Sequence, residues 1–114
     1  MQVIPLDDYD DERLTPYRNL KTTNLTRWSG LFIAEGFLVV QRLLRSELRT
    51  HSILIREDRL DTLRGEPIPE SVPVYTLPYE QAQRLVGFNF HMGIVACGQR
   101  PEQLSLERFL TVCG

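Results

Sequence analysis

The stretch GFNFHMGIVACGQRP, residues 87–101, places an amide, an imidazole and two aromatic rings ahead of a short apolar run. In extended backbone alternate side chains point to opposite sides, so Asn89 and His91 would share one side and Phe88 and Phe90 the other. An imidazole acts as a general base only with a nucleophile or substrate proton within hydrogen-bond reach, and the sequence shows no such partner for His91. Two readings stay open. Asn89 and His91 could hydrogen-bond a base or phosphate while a phenylalanine stacks on an unpaired base, or the segment is a half-buried strand start whose histidine is structural. Glu35, between Ala34 and Gly36, is expected to accept backbone N–H bonds at the start of a following helix. Its alternative, acid–base work, lacks a visible partner carboxylate. There is no phosphate-binding loop, dinucleotide fingerprint, metal-spaced His/Cys cluster or serine elbow, so a complete active site is not expected.

Charge is distributed unevenly. The formal net charge is −2, which by itself argues against a general polyanion binder. Asp7, Asp8, Asp10, Asp11 and Glu12 come before any base, whereas residues 13–49 carry seven bases (Arg13, Arg18, Lys21, Arg27, Arg42, Arg45 and Arg49) against Glu35 and Glu47. Lys21 is the one lysine among thirteen bases. Arginine's planar fork grips phosphate oxygens bidentately and stacks on bases, so the distribution favours an RNA-facing surface. A GC-rich genome would also produce it.

The elements that would position these groups alternate. Residues 1–12 read as a solvated, flexible acidic leader. In LTPYRNLKTTNLTRWSG, Pro16 would break an early helix, and Thr23 could cap a short helix through Trp28 that Gly30 ends. LFIAEG reads as a buried strand and FLVVQRLLRSE as a helix, with Phe37, Val40, Leu43 and Leu44 on its apolar face and Gln41, Arg42 and Arg45 opposite. HSILIR is a strand, EDRLDTLRG a short helix with Leu60 and Leu63 inward, and EPIPES a proline-broken turn. VPVYTL is a strand with Pro73 near its start or edge. PYEQAQRLVG is a helix with Pro78 in its first turn, Ala82, Leu85 and Val86 in its body and Gly87 at its stop, and MGIVACG is a last buried strand. This alternation predicts a single three-layer α/β/α domain with a mixed sheet.

With 114 residues, 42% of them hydrophobic, one domain with an adequate core is expected. No apolar run approaches membrane-helix length and MQVIPLDDYDDE reverses the charge of a signal peptide's start, so the expectation is a cytoplasmic protein with no membrane partner. Cys97 and Cys113 have no disulfide or metal framework and are expected as free thiols.

Several segments together resemble one family. RLTPYRNLK, GLFIAEGFLVVQRLL, SILI and GFNFHMGIVACGQRP follow one another as in the N-terminal substrate-binding domain of the SpoU/TrmH-type RNA ribose 2′-O-methyltransferases. The most specific pieces are FIAEG and HMGIVA, and Met92 replaces the Gln or Arg that relatives often carry there. The resemblance covers residues 13–101. It implies a domain like the ribosomal kink-turn-binding proteins, which captures tRNA or rRNA for a separate knotted domain that binds S-adenosylmethionine and forms a homodimer. On this reading residues 13–100 are the RNA substrate-binding domain and 101–114 begin a linker to a catalytic domain beyond residue 114. No catalytic, cofactor or metal residue is expected in this chain, and RNA contacts are expected from Arg18, Lys21, Arg42, Arg45, Asn89, His91 and Arg100. The rival readings are a stand-alone kink-turn-type RNA-binding protein and a small self-contained enzyme using Glu35 and His91.

Overall fold

The computed structural model of the chain describes residues 1–17, 31–86 and 93–99. Strands β1 (Gln2–Pro5), β2 (Leu31–Glu35), β3 (Arg49–Arg56), β4 (Pro73–Leu77) and β5 (Ile94–Gln99) form one sheet in the order β1-β4-β3-β5-β2. β1, β4 and β3 are parallel neighbours, while β5 runs antiparallel to both β3 and β2. Helices α1 (Phe37–Arg45) and α2 (Tyr79–Val86), and the 3-10 turns Glu12–Tyr17 and Glu57–Leu63, connect them. The expected mixed α/β architecture is what the chain adopts.

Two cores sandwich the sheet, because consecutive residues of the inner strands point to opposite faces. Leu54, Tyr75, Leu77, Val95 and Cys97 pack with Leu6, Leu14, Tyr17 and Ala82 on one face. Ile53, Ile55, Val74, Ile94 and Ala96 pack with Val40, Leu43 and Leu63 on the other. Phe37 and Leu44 lie half-buried against this second core, as the helical spacing of α1 requires. Across the β2–β5 pair, Phe32 faces Gly98, and a Cβ at position 98 would fall 2.8 Å from the Phe32 ring carbons. The ring thus occupies the space that the glycine leaves open.

The acidic start is not a flexible leader. Gln2–Pro5 adds to β4 in parallel, from Gln2 opposite Pro73 to Pro5 opposite Thr76, and Leu6 is buried with its N–H donating to the Thr76 carbonyl at 2.9 Å. The Met1 ammonium pairs with Glu70, the Tyr9 N–H donates to Gln81 Oε1 at 3.1 Å, and Asp11 grips the Arg13 guanidinium at 2.8 and 2.9 Å. The physical reason is that Val3, Ile4 and Leu6 supply apolar area enough to join the sheet, which the adjacent charges masked. Pro16 likewise does not prevent helical geometry: it lies inside the 3-10 turn Glu12–Tyr17, which delivers Leu14 and Tyr17 to the core. The expected helix over residues 23–28 lies outside the described residues. Pro73 opens β4, an inner strand, at the first position, where a missing N–H is tolerated.

The Tyr17 hydroxyl lies 2.6 Å from Ser52 Oγ, both fully buried. Burial raises the Tyr17 pKa well above its ordinary value, against the opposing effect of the Ser52 hydrogen bond. Cys97 is a free, buried thiol, pushed up to about 12 by desolvation, so it is a packing residue and not a nucleophile; Cys113 lies outside the described residues.

Two outcomes follow from these cores. Leu54→Ala is expected to lower unfolding free energy by about 2–5 kcal/mol, whereas Leu38→Ala, on the solvent side of α1, should stay within about 0.5 kcal/mol, measured by urea denaturation. Because the folded state raises the Tyr17 pKa, its stabilisation is intact below the unfolded value of about 10 and is lost as pH rises toward the folded value. A denaturation series from pH 8 to 11 should therefore show an alkaline decline that Tyr17→Phe reduces.

Candidate nucleic-acid interface

The segment FIAEG and GIVA, the described part of HMGIVA, converge at one edge of the sheet, where β2, β3 and β4 end and β5 begins. Their junction is a hydrogen bond from the Gly36 N–H to the Ile94 carbonyl, 3.1 Å long. Gly36 and Gly93 both have positive φ, 90° and 75°, a region open to glycine at little cost. Gly36 also forms the N-terminal cap of α1, and no side chain caps the helix. Glu35 is exposed and so does not fill the capping role expected of it; the backbone turn at Gly36 carries the chain into the helix. The first turn of α1 contains no acid, and Glu35, just before the cap, is the acid at this helix start among the described residues.

The end of β3 and the 3-10 turn that follows it contribute two arginines that the sequence analysis does not single out. Arg56, the last residue of β3, donates its backbone N–H to the Gly93 carbonyl at 2.9 Å. Its guanidinium binds Asp58 in a fork, with both contacts at 2.9 Å, and lies 4.6 Å from the centroid of the Tyr79 ring. The hydrogen bonds to Arg56 hold the Asp58 carboxyl below the usual range and raise the guanidinium's own pKa, so the pair remains ionised at neutral pH. Arg59 follows on the next turn, its Cγ placed 3.0 Å from where a Gly93 Cβ would stand. It is exposed and makes no ion pair among the described residues. The signal for this pair was the basic residue ending an apolar strand just before the acidic turn Glu57–Asp58; its significance depends on β5 arriving beside β3, which spans too much sequence to be legible locally.

The outer face of α1 extends the edge. Leu38 and Val39 are 66% and 46% exposed, and Arg42 lies one turn beyond them, exposed and without an ion-pair partner among the described residues. Arg45 is different. It is exposed as expected, but its guanidinium reaches the Glu66 carboxylate at 3.2 Å, and Glu66 also accepts from Gln41 Nε2 at 3.1 Å. The expected Arg42–Arg45 patch is therefore half neutralised, with Arg45 tying α1 to the loop after Leu63. Arg18, Lys21, Asn89, His91 and Arg100 lie outside the described residues.

No family model matches the chain. Two tRNA/rRNA methyltransferases described as uncharacterized, from Mycobacterium tuberculosis and Mycobacterium bovis, are 33% and 31% identical over 105 residues, spanning 89% of this chain. The chain spans 36% of the length of these curated relatives. Among solved structures, two crystal structures of rRNA methyltransferase from Sinorhizobium meliloti, one of them AdoMet bound, each superpose with a TM-score of 0.68 at 12% identity. Each match covers 89% of this chain and 38% of the other. The fold is thus one found within RNA methyltransferases. By sequence the chain is similar to a region of the tRNA/rRNA methyltransferases, which bears out the resemblance to RNA methyltransferases drawn from FIAEG and HMGIVA.

Gly93→Ala is expected to cost about 1–3 kcal/mol, since it forces a side chain into the left-handed region and against Arg59. A thermal melt of this variant that matched the unmodified chain would show that the Gly93 turn is not held at this edge.

Proposed function

We propose that the chain is the RNA substrate-binding domain of a SpoU/TrmH-type tRNA/rRNA ribose 2′-O-methyltransferase, and that it presents the carboxyl edge of its sheet and the outer face of α1 to RNA. The observation that carries this reading is the meeting of the two resemblance segments at one edge furnished with unpaired Arg59 and Arg42, the uncapped start of α1 and exposed Leu38, Val39 and Tyr79. Such an edge can do what RNA capture requires. Guanidinium groups and backbone N–H groups hold phosphates, while apolar and aromatic side chains accept unpaired bases. Asn89 and His91, in the segment entering β5, would read base or phosphate atoms beside it, and Arg18, Lys21 and Arg100 would add phosphate contacts.

Chemistry belongs to another part of the parent protein. The domain holds and orients RNA, and the methyl donor is bound elsewhere in a cytoplasmic enzyme that dimerises through its catalytic part. The greater length of the relatives favours this over a stand-alone kink-turn-type protein. A self-contained enzyme gains no support, because exposed Glu35 has no carboxylate or imidazole partner among the described residues.

Charge reversal at both unpaired positions, Arg42→Glu with Arg59→Glu, is expected to weaken binding of a tRNA or rRNA fragment steeply and to flatten its salt dependence, with circular dichroism unchanged. Binding curves at two salt concentrations test this. Unaltered affinity in a folded double variant would remove the edge as the RNA site. Arg45→Glu is a poor probe, since it would set two carboxylates against each other at Glu66.

A further inference from the structure

At the opposite end of the sheet a groove of about 590 Å³ opens between the last turn of α1, the start of β3 and the proline-containing loop before β4. Leu44, Leu48 and Val72 supply apolar parts of its lining, and Arg49, Thr50 and His51 polar ones. We propose that this groove is a second binding site, one that takes a phosphate group through Arg49 and His51. It does not depend on the carboxyl edge binding RNA.

Three observations converge on an anion. First, Arg49 is exposed and has no carboxylate partner among the described residues, whereas Arg13, Arg45, Arg56 and Arg64 each have one. Of the acids flanking the groove, Glu66 is engaged by Arg45 and Glu70 by the Met1 ammonium, while Glu47, between Ser46 and Leu48 of the lining, is exposed and makes no ion pair with Arg49. Second, the β3–β5 pairing slips between Thr50 and Ser52, which makes His51 the extra residue of a β-bulge. A bulge of this kind re-aims a side chain, and here His51 joins the groove lining. Third, the imidazole is oriented from behind. His51 Nδ1 lies 3.1 Å from Ser52 Oγ, which in turn meets the buried Tyr17 hydroxyl. With Nδ1 engaged, Nε2 is left for a ligand, and fixing one ring nitrogen by a buried network is how proteins set the direction of the other.

A guanidinium fork and an imidazole nitrogen in a groove of mixed polar and apolar lining suit a phosphate carried on a larger organic body, and the volume lies within the range of small-ligand sites. The phosphate could come from an RNA strand or from a free phosphorylated compound. Inorganic phosphate is therefore titrated into the 114-residue chain at constant ionic strength, following the His51 imidazole resonance by NMR, with His91→Gln used to assign the two histidines. The expected result is a saturable shift that weakens about tenfold or more in Arg49→Gln and is unchanged in Arg64→Gln and in Arg42→Glu with Arg59→Glu. Competition by a 5′-phosphorylated oligoribonucleotide, but not by its unphosphorylated form, identifies the end of an RNA strand as the source. Competition by both identifies internal phosphates, and by neither, a free compound. Absence of a saturable shift, or a folded Arg49→Gln chain that responds like the unmodified one, overturns the proposal, whatever the RNA-binding experiment shows.

Discussion

The two-sided burial of β3 and β5 is the constraint from which most of the molecule follows. Ile53 and Ile55 look into one core and Leu54 into the other, and Ile94 with Ala96 and Val95 with Cys97 repeat the division on β5. A strand buried on both faces must have its peptide groups paired on both edges, which fixes β5 beside β3 and leaves β2 and β1 as the flanks. It must also be covered on both sides. α1 and the 3-10 turn over Glu57–Leu63 supply one cover, while α2 and the turn over Glu12–Tyr17 supply the other. The Phe32 ring against Gly98 and the Tyr17–Ser52 hydrogen bond are local solutions to the same demand, filling space and satisfying polarity where the β2 and β3 strands meet β5.

Because the cores occupy both faces of the sheet, groups that could meet a ligand are confined to its ends and to the outer sides of the helices. The two ends have different chemistry. At one, backbone turns at Gly36 and Gly93 accompany the contacts of Arg56 with Asp58 and Tyr79, with Arg59 exposed beside them. At the other, an interruption in the β-ladder turns an imidazole outward beside an uncompensated guanidinium. A strand of this length separates them by roughly 20 Å. α1 bridges the two, with its uncapped start at the first end and Arg45 clamped to Glu66 near the second.

Period and composition made much of the sheet legible. HSILIR, VPVYTL and MGIVACG are β-rich runs bounded by turn residues, and each corresponds to a strand near its expected bounds. Physical reasons account for the misses. In MQVIPLDDYDDE the acids outweigh four apolar residues in any composition reading, yet the apolar residues decide where the segment goes once β4 offers an open edge. Glu35 has the right type for a helix cap, but glycine at the next position lets the backbone make the turn unaided. Arg45 reads as a free surface charge because Glu66 is distant in sequence and reaches it only through the loop after Leu63. Arg56, Arg59 and Tyr79 become a group through pairings between strands far apart in the chain. Of the residues selected beforehand for RNA, Arg42 alone is described by the structure as an exposed guanidinium without a carboxylate partner.

The order of strands also determines when the sheet can assemble. β1 finds its partner only when residues 73–76 exist, and β2 only when residues 95–99 do. β3 and β4 form the one neighbouring pair that is close in the chain. A ribosome making this protein therefore releases two apolar segments, around Val3–Leu6 and Leu31–Ala34, long before either has an edge to join. The β3–β4 unit is the earliest platform that can form, and the final strand to emerge is the one that sits between β3 and β2. Completion is thus postponed to the last strand, and until then the nascent chain exposes unpaired strand edges of the kind that chaperones shield.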